Sequence, residues 1–103
     1  MGLFKKASPA DAVIAVLPQA IEIASKKWLV FISDFPFKDG TPLAHIISAF
    51  LVPFDQGLRQ NMKEFKNSPQ SVTLLVVAKG IEKSGTHTRQ EIESSLGVRF
   101  PEG

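Results

Sequence analysis

Side chains able to move a proton or bind a metal are few in this chain, and they are scattered. It carries two histidines, His45 and His87, and no cysteine. An imidazole acts as a base or a ligand when a carboxylate or second ligand is held beside it. On a helix that neighbour stands three or four residues away. His45 has Thr41, Pro42, Ser48 and Ala49 at those positions. Asp34 and Asp39 could approach it only through folding of the loop, so His45 reads as a helix-surface or partly buried residue. His87 falls in the turn between Ser84 and Thr88 and reads as a solvated loop histidine.

The acidic residues converge no better. Asp34-Phe-Pro-Phe-Lys-Asp-Gly40 has the outline of a calcium loop, but Pro36 and Lys38 stand where alternate oxygen ligands are required. Glu91 and Glu93 are two residues apart and point to different sides of a helix. Absence of cysteine excludes disulfides, thiol catalysis, thiolate zinc sites and iron–sulfur clusters. There is no Gly-x-Ser-x-Gly elbow and no glycine-rich phosphate loop; the glycines sit singly at element ends. With no convergent set, the sequence reads as non-enzymatic, without cofactor or metal.

The aromatic residues are the stronger signal. Trp28, Phe31, Phe35, Phe37, Phe50 and Phe54 occupy a stretch, 28–53 and its border, whose only charges are Asp34, Lys38 and Asp39. Eight phenylalanines and no tyrosine make bulky, dry contacts with few polar handles. Either all six rings are core, or part of the set stays exposed and marks a binding patch. Phe35 and Phe37, flanking Pro36 in a loop, are the candidates for exposure.

Three classes of function follow. The preferred expectation is a protein-interaction or self-assembly module, a homo-oligomer or the binder of a protein partner, acting through the Trp28–Phe54 region. A second is a nucleic-acid-associated protein using the basic clusters Lys5, Lys6, Lys26 and Lys27, although a net charge of +2 is a weak bias for that role. A third is a carrier with an aromatic cavity for a small apolar ligand. Thr88 to Val98 resembles the first helix and turn of a helix-turn-helix. However, Glu93 stands where a small residue would pack, and no recognition helix follows in the sequence. A capped amphipathic helix accounts for the same residues.

The elements that must position these side chains are announced by Ser8-Pro9, Thr41-Pro42 and Ser68-Pro69, each before an apolar run. A Ser or Thr hydroxyl caps a first turn, and proline fits inside it because its missing N–H is not needed there. The spacing predicts a helix from Ser8-Pro9 to about Leu17 and another over Gln19–Ser33, with Ile21, Ala24, Trp28, Phe31 and Ile32 on one face. Further helices are expected after Thr41-Pro42, over Phe54–Lys66, from Ser68-Pro69 to Ile81, and after the capping box Thr88-Arg-Gln-Glu91, with Gly97 as its C-cap.

The fold expected is therefore an all-α bundle of five to six short helices, broken at Pro18, Gly40, Pro53, Asn67 and Gly85. The alternative is α/β, with 28–33 and 72–78 as buried strands, because both runs are rich in β-branched and aromatic residues. A chain of 103 residues makes one domain, 1–103, with 1–7 and 99–103 as flexible tails. The longest uncharged stretch, Gly40 to Phe54, is 15 residues and holds two prolines, too short for a transmembrane span. Asp11 and Pro18 interrupt what would be a signal peptide's apolar run, so a cytoplasmic protein is expected.

Overall fold

Thr41-Pro42 and Ser68-Pro69 do open helices, Ser8 of the first dipeptide lies outside the described residues, and the helices run longer than the spacing of the prolines suggests. The computed structural model describes residues 9–34 and 40–99, and all regular structure among them is helical. In order come α1, Pro9–Asp34; α2, Leu43–Asn61; a 3-10 turn, Lys63–Phe65; α3, Gln70–Ser84; and α4, Arg89–Leu96.

The expected five to six helices become four because neither Pro18 nor Pro53 ends a helix. A proline inside a helix removes the hydrogen bond to the carbonyl four residues back. Here those carbonyls belong to Ile14 and Ala49, which are exposed, as are Pro18 and Pro53 themselves. Each gap in the hydrogen-bond ladder therefore lies on the solvent side, while the buried sides of α1 and α2 hold the helices together. In the other direction, α2 stops at Asn61, short of the expected Lys66. Met62 turns extended, and Arg59 donates to the carbonyls of Phe65 at 3.0 Å and Lys66 at 3.2 Å, folding the chain back.

The strand alternative is overturned for both segments. Residues 28–33 lie within α1 and 72–78 within α3. The run in α3 is apolar nearly all round because other elements surround it, with Thr73, Val76, Val77, Ala78, Gly80 and Ile81 buried. Its bounds are set locally: Pro69 at the N-cap and Gly85 at φ 82° past the end. The start signals themselves work differently from the expectation. At α2 and α3 the proline, not the residue before it, is the N-cap, and no side chain caps either helix. The Ser68 hydroxyl instead donates backwards to the Phe65 carbonyl at 3.0 Å. At α4 the capping box forms as expected, and Gly97 closes the helix in the left-handed region at φ 68°.

Helix α3 packs most extensively against α1. The crossing is close because small residues meet there. A β-carbon on Gly80 would lie 2.6 Å from the Ala24 Cβ and 2.9 Å from the Ser25 nitrogen. Ala20, Ala24, Trp28, Val76, Val77 and Ile81 are buried around this crossing or beside it. Helix α2 is joined to α3 by polar contacts: the buried Thr73 donates to Asp55 at 2.6 Å, and Arg59 donates to both oxygens of the same carboxylate at 3.0 Å. Among the described residues no buried side-chain nitrogen or oxygen lacks a partner. No helix among them is long and apolar enough to cross a membrane.

Candidate functional site: an apolar groove between α1 and α2

Four of the six aromatic residues singled out in the sequence come together as one cluster. Trp28 meets Phe50 edge-on, with ring centroids 5.4 Å apart, and Phe31 at 6.1 Å. Phe31 lies 5.3 Å from Phe50, and Phe50 stacks on Phe54 at 5.3 Å. Phe35 and Phe37 lie outside the described residues, as do Lys5, Lys6 and the proposed tails apart from Arg99.

Of the four rings Phe31 alone is half-buried; Trp28, Phe50 and Phe54 are buried. Trp28 is fully buried, so it supports the cluster from beneath and presents nothing to a partner of the folded monomer. Its indole N–H donates to the Thr86 hydroxyl at 2.9 Å, which gives the one polar atom of this ring a partner. His87 is half-buried, not the fully solvated residue expected from its turn. Its ring stands edge-on to Trp28 at 6.2 Å, and its Nδ1 lies 3.0 Å from the same Thr86 oxygen. His45 is exposed on α2.

Phe31, Phe50 and Phe54 line a groove of about 600 Å³ between the C-terminal halves of α1 and α2. Helix α1 contributes Ile23, Lys27, Val30, Phe31 and Asp34, and α2 contributes Phe50, Pro53, Phe54, Gly57, Leu58 and Asn61. Both sets recur at three and four residues, the spacing that gathers side chains onto one side of a helix. Eleven residues separate the outermost members on each helix (23 to 34, 50 to 61), which at 1.5 Å per residue makes a trough roughly 16 Å long.

Polar groups stand only at the margins: Lys27 and Asp34 on α1, Asn61 on α2. The Asn61 amide is already committed, donating to the Gly57 carbonyl at 2.8 Å. Gly57 gives the groove its depth, since a β-carbon built there would meet nothing within 4 Å.

Sequence reasoning found the rings but missed Ile23, Val30, Pro53, Gly57 and Leu58 as parts of one surface. The signal was the second stripe on each helix: 23, 27, 30 and 34 beside the core stripe of α1, and 50, 53, 57 and 61 on α2. Lys26 and Lys27 are adjacent in the sequence, yet the two differ. Lys26 pairs with Glu22 at 3.9 Å, and Glu22 also takes Lys83 at 3.2 Å, whereas Lys27 stands at the groove. The basic pair of α1 is thus split between an acid-balanced surface and an apolar one.

Comparison with protein-family models, with curated proteins and with solved structures finds no match to this chain.

Proposed function

We propose that this chain is a non-enzymatic interaction module that receives an apolar segment of a protein partner in the groove between α1 and α2. The observation that carries this reading is Gly57. Glycine in a helix interior costs about 1 kcal/mol relative to alanine. Among the described residues nothing crowds position 57, where an added β-carbon would stand in open space. At Gly80, by contrast, Ala24 and Ser25 leave no room for a β-carbon. A glycine in a groove wall lets a partner backbone approach closely, and an amphipathic helix laid into an apolar trough is a recurrent recognition mode.

A second reading, the small-ligand carrier, draws support from the groove's volume of about 600 Å³, a size suited to a drug-sized apolar molecule. The groove's open side and its length along two helices favour a protein segment. The nucleic-acid reading gains nothing comparable from Lys26 and Lys27.

Whether the groove accepts apolar matter is tested with anilinonaphthalene sulfonate, an aromatic probe, titrated calorimetrically into dilute native protein. Saturable binding is expected, weakened at least about tenfold by Gly57→Leu, which places a bulky side chain where a β-carbon has open space. No saturable binding, or equal binding by the filled variant, removes the proposal.

A further inference from the structure

The rim of the groove carries a charge pattern that fits itself. Lys27 and Asp34 are both exposed on α1 and line the groove two turns apart, with Val30 and Phe31 midway between them. Lys26–Glu22, Arg59–Asp55, Lys83–Glu22 and Arg89–Glu93 form ion pairs among the described residues, and neither Lys27 nor Asp34 belongs to any of these four. Val30 is 58% exposed, a large apolar side chain standing open beside the two charges.

We infer that the occupant of the groove is a second copy of this chain, bound about a two-fold axis that passes beside Val30 and Phe31, with Lys27 of each copy facing Asp34 of the other. This rests on the groove being an interaction site, and it names the partner. In a two-fold interface, residue i meets residue j and j meets i, so a surface must complement itself. A stripe reading cation, apolar pair, anion does so when two such helices run antiparallel. The cation of each meets the anion of the other, and the apolar pairs meet at the axis.

The same operation lays α1 of the second copy along the trough between α1 and α2, with its Val30 entering beside Phe31 and Phe54. Gly57 leaves space for that helix. The result is a four-helix arrangement of α1 and α2 from each copy, built by the packing that joins helices in ordinary bundles. Parallel alignment would instead set Lys27 against Lys27 and Asp34 against Asp34, so the charges select one orientation.

Sedimentation equilibrium over a range of concentrations tests this, using the full chain. The wild type is expected to form a dimer. Lys27→Glu and Asp34→Lys, made singly, each set like charges together twice and should weaken it roughly tenfold. The double reversal Lys27→Glu with Asp34→Lys restores opposite pairs and should recover the wild-type constant. Val30→Glu, at an exposed position that leaves the fold intact, should give monomer, and helicity by circular dichroism confirms that each variant is folded.

A wild type that stays monomeric at roughly millimolar concentration overturns the proposal. So does a dimer indifferent to Val30→Glu, or a double reversal as weak as the single changes. The two readings fail separately. A monomer that still binds anilinonaphthalene sulfonate in a Gly57-dependent way keeps the groove and loses the second copy, whereas a monomer that binds nothing loses both.

Discussion

Gly80 and Ala24 approach so closely that a β-carbon added to the glycine would stand 2.6 Å from the alanine's own. That contact sets the distance between α1 and α3, the most extensive helix pair of the fold. The second near neighbour of the added carbon is the Ser25 backbone nitrogen at 2.9 Å, which cannot rotate aside. Gly80→Ala therefore gains the helix preference of alanine but forces the helices apart. The net loss should be about 1–3 kcal/mol, read from urea unfolding.

Gly57 gives the opposite sign. Alanine there has open space and lies in the interior of α2, so Gly57→Ala should raise stability by about 0.5–1 kcal/mol. The pair of substitutions makes an internal control, since the same chemical change stabilises at the groove and destabilises at the crossing. Equal effects at both positions would show that α1 and α3 yield more readily than the 2.6 Å approach implies.

Asp55 links α2 to α3 through the buried Thr73 hydroxyl and is itself gripped by Arg59. Thr73→Val keeps the shape of the side chain and removes one hydrogen bond to a charged acceptor, a loss of about 1.5–3 kcal/mol. Asp55→Ala also strands the Thr73 hydroxyl and loosens Arg59 from the 3-10 turn, so it should cost more. Because the two residues share a contact, the double variant should lose less than the sum, with a coupling of about 1–2 kcal/mol in chemical denaturation. Strict additivity would separate Thr73 from the anchoring of α2.

The capping box of α4 makes a pH prediction. The Glu91 carboxyl is held below its ordinary value of 4.5, first by the Thr88 backbone N–H that donates to it, then by the Thr88 side chain, with His87 adding a smaller pull. A carboxyl lowered in the folded state contributes stability that is fully present above its unfolded value and is lost as pH falls through its folded value. Glu91→Gln removes the titration. Its melting temperature should lie below that of the wild type at neutral pH, and the gap should close on acidification below 4.5. A gap that stays constant down to pH values of about 2, below ordinary carboxyl titration, would show that the ionised carboxylate contributes nothing to the cap.

The parts of the fold legible in the sequence were those set by a few adjacent residues. Thr88, Glu91 and Gly97 fix α4 by contacts within the helix and its turn, and all three act as their types suggest. The start of α3 and its central, buried place were readable from Pro69 and the uncharged run behind it. Proline at positions 18 and 53 misled, because whether a helix survives a proline depends on which side faces water, a property of the assembled fold. The groove was half legible. Phe31, Phe50 and Phe54 stood out by type, but only the placing of α1 beside α2 shows that Ile23, Val30, Pro53 and Gly57 belong with them. No local pattern announces a glycine with open space above it.

The chain contains one tryptophan, and its position makes it an optical reporter on two places at once. The indole of Trp28 is sealed from water, tethered to Thr86 at one edge and pressed against Phe50, a groove residue, at another. Ultraviolet emission from this protein is thus the spectrum of a single dry ring. Loosening of the corner between α3 and α4 admits water to it and shifts the band to the red. An occupant of the groove would press on Phe50 and should alter the band without wetting the ring. Unfolding and occupancy thereby acquire different colours in the untouched molecule.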